Sequence, residues 1–171
     1  IKSTIAVEDA RFFDHNGIDY KALWRVGIKT IILGEKQSGG GSTITQQLAK
    51  LLYKRPEIQN LSSLKSKFTL IHIKLKEWVT AIKLEHNYTK EEIITMYLNT
   101  VDFGSYNTFG IQSAARTYFN TTASKLSPDQ AAVLVGMLKG PSLYSPIRNS
   151  SRSKARRNTV LSNMCKAGYL S

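Results

Sequence analysis

Apolar residues along the 171-residue chain recur at spacings of three and four, so nearly every segment reads as helix and almost none alternates like a strand. The fold class expected is mainly α. An apolar-periodic segment from Ser3 to Phe13 ends in Asp14-His15-Asn16-Gly17, a helix stop and turn. Asp19 stands where it can cap a second helix carrying Leu23, Val26 and Ile31, with Gly34 as its C-terminal cap. From Glu35 to Gly41 there is no apolar side chain and the run ends in three glycines, which predicts a mobile stretch. Thr43 with Gln46 has capping-box spacing and opens a helix to Tyr53 through Ile44, Leu48, Leu51 and Leu52. The longest helix is expected from Leu64 to Glu85, with Leu64, Phe68, Ile71, Leu75, Trp78 and Ile82 forming a stripe suited to a core. Thr89 with Glu92 begins a helix to Asn99, a polar loop spans Asp102 to Thr108, and Gly110 to Phe119 is helical again. Ser127-Pro128-Asp129-Gln130 supplies an N-cap, a proline at the first helical position and a capping glutamine for a helix to Lys139. A Pro- and Ser-rich strap then leads to a basic helix from Arg152 to Cys165. Residues 1–171 read as one domain without internal repeats.

Composition adds one anomaly. Hydrophobic residues at 42% and charged residues at 21% are ordinary for a globular chain, which excludes disorder, collagen-like and disulfide-scaffold classes. The 24 Lys and Arg against 12 Asp and Glu leave a net charge of +12, which points to an anionic partner: nucleic acid, anionic lipid or a phosphorylated substrate. Cys165 is the single cysteine, so no internal disulfide or thiolate metal site can form, and it is expected as a small buried hydrophobe. His72 and His86 have no ligand-like partner at metal spacing, so no zinc site is expected. The sequence has no apolar run of about 18 residues, and its entry into a helical pattern directly at Ile1 suggests an excised domain.

Three places could carry chemistry. Gly39 through Lys50 is a glycine run feeding a capped helix, with the hydroxyls of Ser42 and Thr43 at its start and Lys50 about two turns along. Such a start can hold a phosphate or pyrophosphate on free N–H groups, or it can be a purely structural loop-to-helix turn; the spacing is not that of a P-loop. Glu8-Asp9 reads on its own as two solvated acids on an N-terminal helix. Glu77, beside Trp78 and three residues after Lys74, is either an exposed ion-pair partner or a site acid, and Glu85 reads as structural.

Taken in order, these segments resemble a glycosyltransferase family 51 domain, the peptidoglycan glycosyltransferase of class A penicillin-binding proteins. The first motif, Glu-Asp-x-x-Phe-x-x-His-x-Gly, is met by Glu8, Asp9, Phe12, His15 and Gly17. The second, Gly-Gly-Ser-Thr-Ile-Thr-Gln-Gln-x-x-Lys, is complete from Gly40 to Lys50 and includes Thr45, Gln46 and Gln47. The third, Arg-Lys-x-x-Glu, appears as Ile73-Lys74-Leu75-Lys76-Glu77, with isoleucine in place of arginine. The family's upstream arginine is also missing near Thr69, and Lys65, Lys67 or Lys76 is a candidate substitute. The strap from Tyr144 and the segment Arg152 to Met164 resemble the approach to a transpeptidase domain.

The resemblance implies a lysozyme-like, two-lobed helical fold with a cleft, one lobe being membrane-associated. It implies polymerisation of lipid II onto a lipid-linked nascent glycan, with inversion and release of undecaprenyl pyrophosphate. Glu8 is then the general base and Glu77 the second essential carboxylate. Arg25, Ser42, Thr43, Gln46, Lys50 and Lys74 are the candidates for pyrophosphate binding, supported by Asp9, Phe12, His15, Gly17, Thr45 and Gln47. No organic cofactor is implied, and a divalent cation, Mg or Mn, is a candidate at the pyrophosphate. Implied surroundings are the extracytoplasmic face of the bacterial cytoplasmic membrane, its anionic surface, a neighbouring transpeptidase domain with a transmembrane helix, and moenomycin-type inhibitors. The alternatives are a lysozyme-like hydrolase or lytic transglycosylase, and a basic helical nucleic-acid binder. The basic residues form no nucleic-acid motif, which leaves nucleic acid out of the expected partners.

Overall fold

The computed structural model of the chain describes residues 1–32, 40–53, 64–104 and 107–170, and of residues 27–32, 64, 65 and 67 the backbone alone. The described residues are mainly helical, as expected: α1 (Lys2–Glu8), α2 (Tyr20–Ile32), α3 (Ile44–Leu52), α4 (Leu64–Asn87), α5 (Lys90–Thr100), α6 (Ile111–Phe119), α7 (Pro128–Met137) and α8 (Ser150–Lys166). One isolated antiparallel bridge, Asp102 to Phe109, is the β pairing among them. The chain divides into two compact units, residues 1–10 with 98–171, and residues 11–97.

In the first unit α7 and α8 pack against each other and α1 packs against both. Ala132 and Val135 of α7 meet Val160 and Met164 of α8, and Ala6 and Val7 of α1 close over them. The start of α7 is fixed as its sequence predicts: the Gln130 N–H donates to Ser127 Oγ, and Gln130 Oε1 accepts from the Ser127 N–H at 3.1 Å, with proline at the head of the helix. Along α8 the buried side chains are Ser153, Val160 and Met164. Cys165 therefore is not buried, contrary to expectation: one residue past Met164 the helix has turned by about 100° and carries it to solvent. Gly110, at φ +81°, heads α6 where a Cβ would stand 2.8 Å from the Asn99 carbonyl oxygen, so the turn into the helix requires glycine.

In the second unit α3 packs on α4, with Ile44, Leu48 and Ala49 of α3 fully buried. The face that α4 buries is not the expected stripe. Phe68, Ile71, Leu75 and Ile82 are exposed, whereas Glu77, Ala81 and Leu84 are buried. The helix is apolar on more than one side, and close packing selects the line where Ala81 admits a neighbouring backbone. The first helix is also shorter than predicted: Asp9 leaves helical geometry at φ −159°, ψ 77°, and Phe12–Asp14 form a separate 3-10 turn. The expected Gly34 cap and residues 33–39 of the expected mobile stretch lie outside the described residues.

Asp19 caps α2 as predicted, its Oδ1 accepting from the Ala22 N–H at 2.9 Å. Arg11 grips the same carboxylate through Nε and Nη2 at 2.7–3.0 Å. Burial alone would raise the Asp19 pKa, but the Ala22 N–H and the Arg11 guanidinium outweigh it and hold the group below its ordinary value. A depressed folded-state pKa gives stability that is complete above about pH 5 and is lost as pH falls through the folded value. Asp19→Ala is expected to cost about 1–2 kcal/mol at pH 7 in urea unfolding. Asp19→Asn, which keeps the cap and loses the charge, should cost less, and its gap from wild type should narrow as pH falls below the ordinary carboxylate range. A gap that does not change with falling pH would remove the ion pair as its cause.

Candidate functional site

Glu8 is the last residue of α1, and the packing of Ala6 and Val7 on the α7–α8 core fixes where that helix ends. Its side chain is half-buried, and Asp9 is 7% exposed as the C-cap, its N–H donating to the Ile5 carbonyl at 3.1 Å. Two freely solvated acids, the plain reading of this pair, are not what the fold presents. A half-buried carboxylate at a helix end is a candidate general base where a substrate hydroxyl comes within hydrogen-bond reach.

In residues 11–97 the rest of the first motif forms a tight turn. Phe12 is fully buried, with edge-to-face contacts to Phe13 at 5.3 Å and to His15 at 6.3 Å between ring centroids. Gly17 has φ +86°, and a Cβ there would lie 2.9 Å from the Ala81 carbonyl oxygen of α4. The Gly17 carbonyl in turn accepts from Thr43 Oγ1 at 2.6 Å. That same oxygen accepts from the Gln46 N–H at 3.1 Å, which makes Thr43 the N-cap of α3.

The capping box foreseen for Thr43 and Gln46 is only half formed. Gln46 is 1% exposed, and neither its amide nitrogen nor its amide oxygen has a hydrogen-bond partner among the described residues. Thr43, at 2% exposure, is equally turned inward. Gln47 accepts at Oε1 from Tyr97 Oη at 2.9 Å, and Thr45 Oγ1 donates to Glu85 Oε1 at 2.5 Å. The second motif therefore divides its labour: Thr43, Thr45 and Gln47 tie the start of α3 to its neighbours, and Ser42 and Lys50 remain accessible to a ligand.

Ser42, Lys74 and Glu77 come together. Lys74 Nζ donates to Ser42 Oγ at 3.2 Å and to Glu77 Oε2 at 2.8 Å. The Glu77 side chain is 6% exposed and that of Lys74 39%, so a buried carboxylate holds a partly exposed cation. Lys50 and Glu77 also border a pocket of about 660 Å³ between α3 and α4, with Lys76, Lys83, Thr69 and Ile73 in its lining. Thr69 and Ile73, the positions where the resemblance leads one to expect arginine, thus both line this pocket. Lys76 reaches it, and the side chains of Lys65 and Lys67 lie outside the described residues. Lys83 was not singled out from the sequence, although its distance of seven residues from Lys76 places both on one face of α4. Arg25 lies on α2, exposed, with no hydrogen bond or ion pair among the described residues.

The arrangement offers a hydroxyl, a held ammonium and, bordering the pocket, further lysines, a set suited to a phosphate or pyrophosphate. Among the described residues no three His, Cys, Asp or Glu side chains form a metal-binding group. The Glu77 carboxylate in this array is paired with Lys74.

Comparison with known proteins agrees with this geometry. A family model described as Transglycosylase matches residues 1–165. The chain is 43% identical over 168 residues to penicillin-binding protein 2a of Streptococcus pneumoniae, covering 98% of this chain and 21% of that protein. It is 42% identical over 167 residues to penicillin-binding protein 1F of Bacillus subtilis, covering 98% of this chain and 22% of that protein. Against penicillin-binding protein 1A of Escherichia coli the identity is 39% over 170 residues, covering 99% and 18% respectively. The chain thus spans about a fifth of the length of the relatives it matches.

Proposed function

The chain belongs to the transglycosylase family, and from that premise we propose that it polymerises lipid II into β-1,4-linked peptidoglycan strands. The observation that carries this reading is the Ser42–Lys74–Glu77 array at the start of α3, a cation held open for an anionic leaving group. Glu8 accepts the proton of the N-acetylglucosamine 4-hydroxyl as that oxygen bonds to the anomeric carbon of the growing, lipid-linked glycan. The bond from the anomeric carbon to the pyrophosphate oxygen breaks with inversion, and its electron pair leaves with undecaprenyl pyrophosphate. Charge that develops on the phosphates is met by Lys74, Lys50, Arg25 and Ser42. Thr43 and Gln46 support that site from within, their burial fitting the shape of α3's start more than ligand contact. A magnesium or manganese ion, where one takes part, is placed with the substrate's pyrophosphate rather than in the protein.

The reading extends to the surroundings. In residues 11–97 the exposed Tyr20 and Trp24 of α2, and Phe68, Ile71 and Leu75 of α4, are suited to a lipid interface. In the other unit Arg152, Lys154 and Arg157 of α8 add charge suited to an anionic membrane surface. Among the described residues no helix is long and apolar enough to cross a membrane. We place the chain on the outer face of the cytoplasmic membrane, beside a transpeptidase domain in the whole protein, and expect inhibition by moenomycin.

Incubation with lipid II and, separately, with purified wall sacculi tests the reaction. Polymeric glycan and undecaprenyl pyrophosphate are expected from the first, and no soluble fragments from the second. Fragments from sacculi without polymer from lipid II would establish the hydrolase or lytic transglycosylase reading instead.

A further inference from the structure

The start of α3 is tied to a further, part-buried ion pair that the proposed reaction does not use. Glu85 Oε1 accepts from Thr45 Oγ1 at 2.5 Å and from Lys90 Nζ at 2.8 Å, with the two charged side chains 5% and 17% exposed. Lys90 Nζ also donates to the His15 carbonyl oxygen at 2.5 Å and stands 4.6 Å from the centre of the Phe12 ring. One ammonium therefore joins the first-motif turn, the end of α4 and, through Glu85, the first turn of α3.

The placement has an electrostatic consequence. Thr45 is the second residue of α3 and three residues after Ser42, so a carboxylate bonded to it lies within about 10 Å of an anion held at Ser42. Uncompensated, Glu85 would repel that anion and occupy the positive end of the helix dipole in its place. We propose that Lys90 is a positioning residue for the pyrophosphate site: it cancels the charge of Glu85 while fixing the turn that Thr43 caps. The proposal rests on the pyrophosphate reading of the start of α3. It separates two roles for lysine in this unit, with Lys74 offered to the ligand and Lys90 spent on an internal carboxylate.

The test compares charge removal with charge imbalance in the full-length protein. Lys90→Met leaves Glu85 charged and is expected to raise KM for lipid II and Kd for inorganic pyrophosphate by about tenfold, with kcat reduced less than about threefold. Glu85→Gln combined with Lys90→Met removes both charges and should return both constants to within about threefold of wild type. Lys90→Arg should preserve them. If Lys90→Met does not fold, Lys90→Gln, which can still donate to the His15 carbonyl, carries the same comparison. Equal thermal destabilisation in single and double variants, with KM and Kd unmoved, would overturn the proposal and leave the pair as a fold contact. Pyrophosphate binding is read without turnover. A wild-type protein that binds pyrophosphate but makes no glycan therefore overturns the polymerase reading alone, and the variants' Kd still decides the role of Lys90.

Discussion

Glu8→Gln is expected to lower lipid II polymerisation by about 10²- to 10⁴-fold while the helical circular dichroism and melting temperature stay at wild-type values. Glutamine fills the same volume at the end of α1 and can still hydrogen-bond, but its amide cannot take the proton of the attacking hydroxyl. The helix should hold its place, because its anchors are Ala6 and Val7 on the α7–α8 core and not the carboxylate. The loss should fall on kcat, with KM for lipid II changing by only a few-fold, since proton transfer belongs to the transition state. Polymerisation above about a tenth of wild type in Glu8→Gln would remove the residue from the role of base.

The second large effect belongs to Glu77. Its buried carboxylate sets the position of Lys74 Nζ, which also reaches Ser42, so Glu77→Gln releases a cation from the site without touching substrate itself. A loss of about 10²-fold in kcat/KM is expected, the scale seen when a single donor to a developing anion is removed. Lys74→Met should cost a similar amount. The diagnostic is the double variant: if Glu77 acts through Lys74, Glu77→Gln should cost little once Lys74 is already Met, whereas independent roles would multiply. Multiplying losses would assign Glu77 a contact of its own with substrate.

Much of this was legible from local chemistry. The caps at Asp19, Thr89 and Ser127 were readable because a cap is a short-range device, a side chain bonding to an N–H two or three residues on. The motifs name the residues of the site, and the spacing of Lys74 and Glu77 places them one helical turn apart from the sequence alone. What could not be read depended on neighbours distant in sequence. Phe68 and Ile71 look like core residues in the sequence of α4, and only the approach of α3 and the Gly17 turn determines that the Ala81 face is the buried one. Gln46 looked like a capping partner, but at 1% exposure its side chain is enclosed by tertiary packing and does not reach back to its cap. Lys90 lies five residues after Glu85, too far for a pair on one helix turn, and its other partners His15 and Phe12 lie 75 and 78 residues away along the chain.

Gly17 has a consequence best expressed genetically. A side chain there would collide first with the carbonyl oxygen and carbon of Ala81, at 2.9 and 3.0 Å, atoms that every amino acid carries. No replacement at position 81 can make room, so second-site suppressors of a Gly17 substitution should not arise at the residue it strikes. They should arise instead where α4 as a whole can be shifted away from the Gly17 turn.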